Sequence, residues 1–286
     1  MMNLVGQEVG DYKLLSLLGQ GYSDCVYLGE HKQHRSHVAV KVHATKDWKT
    51  RGSNEVSTLS HLTHPRIVRM HEHGTQDDLH FFVMDLATQG TLFHLLTHRV
   101  PISQVTTYVT QIASALHYLH TRHIIHRDIK PTNILVEANG NIWLADFEFA
   151  TNQRNCQSIA ATVAYAAPEQ LRGRPCPASD QYALAVIVYQ WLCGELPFQG
   201  TATGMTAPQR NISPPPLRDK APTLPHAVEQ VVLTALAKDP NSRFPNIQTF
   251  AELLQQACQS SSYWTPSQSL EDMGTFVSDD TGPRPR

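Results

Sequence analysis

The pattern of apolar and polar positions changes near residue 84. Before this point the chain has short apolar or alternating runs, such as Val38-Ala39-Val40-Lys41 and Phe81-Phe82-Val83-Met84, which are typical of β-strands. From Gly90 onward, apolar residues recur every three or four positions, which is typical of amphipathic helices. The sequence therefore predicts an α+β protein, with a small β-rich lobe that carries one helix and a larger, mainly α-helical lobe.

Several helices are predicted in the second part of the chain. One amphipathic face is formed by Val105, Val109, Ile112, Ala113, Leu116 and Leu119. The apolar run at 182–193 is too short to span a bilayer and predicts a buried helix. Further helices are predicted at 227–237 and 247–258, whereas the proline-rich segment 208–225 predicts an irregular surface loop.

Two features of the first part are relevant to chemistry. Gly19 and Gly21 lie in a turn between two strand patterns, where glycine lets backbone N–H groups approach phosphate oxygens. Such a pair is more often an ordinary hairpin turn and carries little weight alone. Glu55 opens a helical pattern that we expect to stop at His64-Pro65.

Three oxygen-bearing side chains in the second part suit phosphoryl transfer. Asp128 lies five residues before Asn133, and Asp146 follows a strand-like run. Moving a phosphoryl group requires an acceptor for the proton of the incoming hydroxyl, together with oxygen ligands for magnesium. These three side chains could supply both.

The sequence motif from His126 to Asn133, followed by Asp146-Phe147, resembles the catalytic loop and metal-binding motif of eukaryotic-type protein kinases. Lys130 is similar to the serine/threonine branch of that family. Other motifs of the family follow in order: the glycine turn, Lys41, Glu55, the hinge after Met84, Ala167-Pro168-Glu169, Asp180 and Arg243. The chain is identified as a member of the bacterial serine/threonine protein kinases, and the resemblance covers nearly its whole length.

The resemblance implies roles for individual residues. In the catalytic group, Asp128 would orient and deprotonate the hydroxyl, Lys130 would steady the γ-phosphate, and Glu55 would hold Lys41 against the α- and β-phosphates. Asn133 and Asp146 would bind the metal. The implied nucleotide-binding residues are Gly19, Gly21, Val26, Ala39, Lys41, Met84, Asp85, Ala87 and Leu135.

The resemblance also implies a bilobal kinase fold, ATP with Mg²⁺ or Mn²⁺ as cofactors, and protein substrates with serine or threonine acceptors. The kinase domain would span residues 9–258, with an N-lobe at 9–84, a hinge at 85–89 and a C-lobe at 90–258. Structural roles are implied for an ion pair of Glu169 with Arg243 and for Asp180 as an anchor of the catalytic loop. A hydrophobic spine would contain Leu59, Met70, His126 and Phe147.

Composition sets further bounds. The 286 residues are 41% hydrophobic, enough for a substantial core, and the formal net charge of −2 gives no basic surface for nucleic acid. Five scattered cysteines without a Cys-x-x-Cys pair, and the absence of a signal peptide or membrane span, favour a cytoplasmic protein. Residues 259–286 are polar and predicted to be disordered. The oligomeric state is not predicted.

Three positions depart from the family pattern, and one of them, Ala185 in place of glycine, is interpreted as a mild structural change. Asp24 stands at the third glycine of the loop, and we expect its carboxylate to turn outward to solvent. Glu148 replaces the glycine after Asp146-Phe147; left-handed geometry there would cost about 1–2 kcal/mol, and the simplest interpretation is that its side chain points into solvent. Lys41 and Glu55 are also only fourteen positions apart, which indicates a shortened connection.

Because no catalytic group is missing, an active enzyme is favoured. Two alternatives stay open: a pseudokinase that binds nucleotide or a partner, supported only by Asp24 and Glu148, and a small-molecule kinase, against which the Ala167-Pro168-Glu169 motif argues. Phosphate on the activation segment could pair with Arg127. The candidate acceptors are Thr151 and Ser158, and Thr162 is interpreted as a structural threonine.

Overall fold

An antiparallel sheet of six strands forms the first lobe in the computed structural model, which describes residues 3–21, 24–44, 48, 52–95, 99–152, 163–199 and 211–259. The spatial order of its strands is β1-β2-β3-β4-β6-β5. The strands are β1 (Glu8–Val9), β2 (Tyr12–Gln20), β3 (Asp24–His31), β4 (His37–Ala44), β5 (Met70–Gln76) and β6 (Leu79–Met84). Gly21 therefore lies between two neighbouring strands, β2 and β3, as predicted, whereas Gly19, which was also expected in the turn, lies in β2 opposite Val26.

One helix, α1 (Ser53–Leu59), accompanies this sheet. It starts two residues before Glu55 and ends earlier than expected, because the chain after Leu59 tightens into a turn in which the Leu62 N–H donates to the Leu59 carbonyl. Glu55, Val56 and Leu59 are its buried residues. The helix thus presents a carboxylate, together with its apolar side, to the interior.

The second lobe is mainly helical. Its helices are α2 (Leu92–Leu95), α3 (Ile102–Thr121), α4 (Pro177–Cys193), α5 (Leu217–Lys220), α6 (His226–Ala235) and α7 (Ile247–Gln259). Two small antiparallel pairs join β7 (Ile124–Ile125) with β10 (Thr151–Asn152) and β8 (Ile134–Val136) with β9 (Ile142–Leu144). The prediction of a bilobal α+β fold is confirmed. Within the described residues, no helix has both the length and the apolarity needed to cross a bilayer.

The helix predictions are confirmed in position and burial. All six residues of the predicted amphipathic face are buried in α3. Helix α4 is buried on nearly every side and ends at Gly194, whose φ of 83° is the left-handed conformation that glycine adopts readily. The expected loop at 208–225 is corrected in part by α5: Pro216 directly precedes this single turn, a position where proline does not interrupt helical hydrogen bonds.

Apolar side chains form one large core that continues from the sheet into the helical lobe. It includes Ala39 and Met84 of the sheet, Leu59 of α1, and Phe147 between the lobes. A smaller cluster lies on the other face of the sheet, around Leu14, Tyr27 and Val40. The shared core fixes the two lobes against each other where the predicted site residues meet.

Candidate active site

Lys41 of β4 is surrounded by three carboxylates. Its Nζ lies 2.6 Å from Glu55 Oε2, 3.1 Å from Asp146 Oδ1 and 3.3 Å from Asp24 Oδ2. Burial alone would lower the pKa of Lys41, but the three negative groups outweigh it and raise that pKa well above its usual value. The lysine is therefore a fixed positive charge at the junction of the two lobes.

Glu55 links Lys41 to the segment that follows Asp146. Its second oxygen, Oε1, accepts a hydrogen bond of 3.1 Å from the backbone N–H of Phe147. Burial raises the pKa of Glu55 to about 7, and the nearby Asp146 adds to this rise, because together they outweigh the attraction of Lys41. The pair predicted between Lys41 and Glu55 forms despite the short connection.

The unusual backbone geometry lies at Asp146, not at Glu148. Asp146 has a φ of 64°, whereas Glu148 is not among the non-glycine residues with positive φ in the described part of the chain. Burial opposes ionisation of Asp146, but Lys41 outweighs it and lowers the pKa of the Asp146 carboxyl. The side chain remains 29% exposed, so one side of this carboxylate faces the cleft.

The expectation that Glu148 points into solvent is wrong, since this residue is buried. Asn54 supplies the physical reason. Its Nδ2 donates to the carbonyls of Glu148 and Ala150, each at 2.9 Å, and more weakly to that of Phe147 at 3.4 Å. These bonds hold the segment against α1 and draw Glu148 inward with it.

Asn54 is a site residue that sequence reasoning missed. It immediately precedes Glu55, so α1 both positions the carboxylate and clamps the segment to which that carboxylate is bonded. An amide donor beside the predicted Glu55 was the available signal. Nothing local, however, indicates that its partners lie more than ninety residues away.

The catalytic loop holds a second carboxylate. Asp128 Oδ2 accepts hydrogen bonds from Lys130 Nζ at 2.6 Å and from Asn133 Nδ2 at 3.0 Å. The same Asn133 nitrogen donates to the Asp128 carbonyl at 2.9 Å. This places the amide oxygen of Asn133 on the opposite side, where Thr132 makes only a long contact of 3.4 Å. The predicted catalytic residues Asp128 and Lys130 and the predicted metal ligand Asn133 thus form one connected group.

Asp180 anchors this loop, as expected. Its carboxylate accepts from the backbone N–H groups of His126 and Arg127 at 3.0 and 2.9 Å. His120 Nε2 lies 2.8 Å from the same carboxylate, a contact that the sequence did not suggest. These bonds compensate for the positive φ of 73° at Arg127, which shapes the loop just before Asp128.

The predicted spine residues come together between the lobes. The rings of His126 and Phe147 are 4.8 Å apart, and both residues are fully buried. Leu59 belongs to the same core and Met70 packs against it. Burial lowers the pKa of His126, although the neighbouring Asp180 opposes this, so His126 is held as a neutral packing residue.

The predicted adenine-site residues line the seam between the lobes. Ala39 and Met84 are directly opposite each other on β4 and β6. Val26 and Leu135 pack against the same core from either lobe. At the hinge, the backbone N–H of Asp85 donates to the Arg69 carbonyl at 3.0 Å, and the role of Asp85 in binding a base stays a prediction. Gly19 lies in β2 opposite Val26. The nucleotide-binding roles of Gly19, Gly21 and Ala87 stay predictions.

A comparison with protein families matches the protein kinase domain over residues 12–259. The chain belongs to the protein kinase family. The resemblance drawn from the motifs is thereby confirmed, and the family as a whole uses ATP and a divalent metal ion and acts on proteins.

Curated bacterial proteins are similar to this kinase domain. Serine/threonine-protein kinase PrkC of Bacillus subtilis is 33% identical over 84% of the chain and 40% of its own length. Serine/threonine-protein kinase Pkn1 of Myxococcus xanthus is 36% identical over 89% of the chain and 39% of its length. Serine/threonine-protein kinase PknF of Mycobacterium tuberculosis is 33% identical over 87% and 56%. The chain therefore spans between two fifths and just over half of the length of these relatives.

The kinase domain closes its helical lobe with a buried ion pair. Arg243 Nη1 and Nη2 donate to the two oxygens of Glu169 at 2.7 and 2.8 Å. Ser179 Oγ also donates to Glu169 at 2.7 Å, and Arg243 Nε donates to the Ala237 carbonyl at 2.8 Å. The predicted pairing of Glu169 with Arg243 is present and fully bonded.

Part of the activation segment lies outside the described residues, and with it the candidate Ser158 and the structural Thr162. Thr151 lies in β10, opposite Ile125 of β7. Its role as a phosphate acceptor stays a prediction. Beside Arg127, Gln170 Nε2 donates to the Arg127 carbonyl at 2.5 Å. The end of the segment is thereby tied to the residue preceding Asp128.

Proposed function

We propose that this kinase domain transfers the γ-phosphoryl group of ATP to serine or threonine hydroxyls of protein substrates, including its own. One observation carries the proposal: two connected groups meet at the same seam, Lys41 with Glu55 and Asp146, and Asp128 with Lys130 and Asn133. The first group suits phosphate and metal, and the second suits the acceptor hydroxyl.

Each side chain has a chemical task in this proposal. Asp128 orients the acceptor hydroxyl and takes its proton, and Lys130, 2.6 Å away, offers positive charge to the transferred phosphoryl group. Lys41 contacts the α- and β-phosphates, and Glu55 keeps it in position. Since phosphoryl transfer depends on positioning and charge neutralisation, these contacts supply the main requirements.

The residues present fit a magnesium ion. The partly exposed carboxylate of Asp146 and the amide oxygen of Asn133 are the hard oxygen ligands that Mg²⁺ prefers, and Mn²⁺ accepts the same ligands. When bound, the ion neutralises phosphate charge. Asp146 and Asn133 would hold it, with Lys41 kept on the phosphate side.

Protein substrates and a cytoplasmic location are part of the proposal. The buried Glu169–Arg243 pair supports a protein acceptor, because it stabilises the end of the segment on which a peptide would dock. The names of the similar bacterial proteins support serine/threonine specificity. We also keep residues 9–258 as the proposed domain and 259–286 as a proposed C-terminal tail; Gln259 still belongs to α7, and residues 260–286 lie outside the described part of the chain.

The test is transfer of label from [γ-³²P]ATP with Mg²⁺, scored on the domain itself and on a generic basic protein. Asp128→Ala should abolish the label, while Asp219→Ala, the same change at an exposed position of α5, should leave it intact. A wild-type domain without label, but with a melting temperature raised by ATP, would instead establish a nucleotide-binding pseudokinase.

A further inference from the structure

The side chain of Asp24 faces the active-site lysine, contrary to the expectation that it turns to solvent. Its Oδ2 is 3.3 Å from Lys41 Nζ, and the side chain is only 14% exposed. The physical reason is the register of the sheet: β3 pairs with β4, so the start of β3 lies close to the positive charge of Lys41. The carboxylate is drawn to that charge.

The glycine turn makes room for this carboxylate. A Cβ added to Gly21 would lie 2.0 Å from Asp24 Oδ1, so the carboxylate occupies space that only glycine leaves open. The backbone N–H of Gly21 donates to the Asp24 carbonyl at 2.9 Å, which holds these two residues together. The Asp24 carboxylate thus lies between a glycine and a buried lysine. Glycine-rich turns offer the same kind of environment to phosphate groups.

The three carboxylates around Lys41 are not held equally. Glu55 is 2% exposed and is tied on its other side to the Phe147 N–H. Asp146 is fixed by its left-handed backbone just before Phe147. Asp24 is the most distant of the three from Nζ and begins a strand beside a glycine turn, so it can leave with the least rearrangement.

We propose that Asp24 determines nucleotide affinity by competing with the phosphate groups of ATP for Lys41. The inference rests on the proposed function, since it takes the phosphate site as given. When phosphates approach Lys41, the Asp24 carboxylate must move away from both the lysine and the incoming negative charge. The competition weakens binding of the triphosphate and leaves binding of the adenine and ribose unaffected.

The experiment compares ATP with adenosine. Dissociation constants of both are measured by calorimetry for the wild type and for Asp24→Asn, which keeps the shape and removes the charge. ATP should bind about tenfold more tightly to the variant, the size expected for removing one nearby like charge at a partly exposed site. Adenosine should bind unchanged. Glu30→Gln, the same kind of change on β3 at a residue that pairs with Arg35, should change neither.

The outcomes separate this inference from the function on which it rests. Equal ATP affinity in wild type and Asp24→Asn, with phosphoryl transfer intact, would overturn the role of Asp24 alone. A parallel gain for adenosine would also overturn it, because the effect would then not involve phosphate. Failure of the wild type to bind either ligand would instead refute the nucleotide site. Asp24→Ser should repeat the gain and Asp24→Glu should not, with thermal unfolding verifying that each variant is folded.

Discussion

Two buried sites of this kinase domain pair a cation with carboxylates, and they differ in how the charges are balanced. In the helical lobe, one guanidinium meets one carboxylate, and Ser179 and backbone carbonyls take up further hydrogen bonds of Arg243 and Glu169. Between the lobes, one ammonium meets three carboxylates at 2.6, 3.1 and 3.3 Å. The first site is saturated, and the second has an excess of negative charge.

The difference separates structure from function. A closed pair with all its hydrogen bonds made has one stable arrangement and stabilises the fold only while both partners are present. A lysine shared by several carboxylates has more than one favourable partner, so an incoming phosphate or a proton can redistribute them. We therefore expect changes at Lys41 to affect chemistry first and changes at Arg243 to affect stability first.

The largest effect is expected from Lys41→Met. Loss of the cation that is proposed to contact the phosphates should reduce phosphoryl transfer about 10²–10³-fold. The free energy of unfolding should fall by well under the about 3–5 kcal/mol typical of breaking a buried pair, because Asp24 can turn toward the cleft, Asp146 is already partly exposed to it, and Glu55 can take up a proton. Transfer assays and urea unfolding measure the two quantities. The exposed Lys13→Met on β2 serves as the control, and transfer at the wild-type rate would remove Lys41 from the site.

Arg243→Met should show the reverse order of effects. It leaves the Glu169 carboxylate enclosed without its main partner, so the free energy of unfolding should fall by about 3–5 kcal/mol. ATP affinity per folded molecule should stay unchanged. The double variant Glu169→Leu/Arg243→Met should recover part of the loss, since it removes both charges.

The control for this comparison is Arg218→Met, on the exposed side of α5. A loss below about 1 kcal/mol in Arg243→Met, the range of a surface pair, would show that the pair is not a structural closure. If the double variant were as unstable as Arg243→Met, the lost free energy of unfolding would come from packing and not from the unpaired Glu169 carboxylate.

A smaller effect is expected from Asn54→Ala, which tests how the two lobes are coupled at the Lys41 site. The variant removes the donor for the carbonyls of Glu148 and Ala150, with an expected loss of about 1–3 kcal/mol in the free energy of unfolding. Turnover should fall while the dissociation constant for ATP stays the same, since Asn54 positions the segment and contacts no phosphate. Ser57→Ala, on the exposed face of α1, is the matched control; an equal loss there would assign the effect to the helix alone.

The parts of this domain that sequence could predict depend on local patterns. The six-residue face of α3 follows from its periodicity, and the burial of α4 on nearly every side follows from its continuous apolar run, because each helix buries the residues that its own sequence makes apolar. Lys41, Asp128 and Asp146 could be proposed as site residues because their motifs are short and occur in a fixed order. Their chemistry is encoded within a few neighbouring positions.

The parts that sequence missed depend on contacts between distant segments. Asp24 faces inward because strand register brings the start of β3 beside Lys41. The expectation that its carboxylate turns to solvent did not take this pairing into account. Glu148 is buried because Asn54, 94 positions away in sequence, holds its carbonyl. In both cases the charged residue type suggested an exposed side chain. A partner from another structural element determined that the residue lies inside.

The smallest effect, and the sharpest test of the charge excess, is the pH dependence. Glu55 has a pKa raised to about 7, so lowering the pH through this value protonates it and removes its ionic hold on Lys41. Transfer should fall by about half between pH 8 and pH 7, and further below, as the protonated fraction rises. Glu55→Gln should have low activity without this step.

Stability should move in the opposite direction in the same window. Because the folded state binds the Glu55 proton more tightly than the unfolded state, whose glutamate has the ordinary value of 4.5, the free energy of unfolding contributed by this group falls as pH rises from about 4.5 to about 7. His126, whose pKa is lowered by burial, acts with the opposite sign, so the difference between the wild type and Glu55→Gln isolates the glutamate. A stability difference that does not change between about pH 4.5 and about pH 7 would contradict this prediction. It would show that Glu55 stays ionised and that Lys41 is paired with three ionised carboxylates at once.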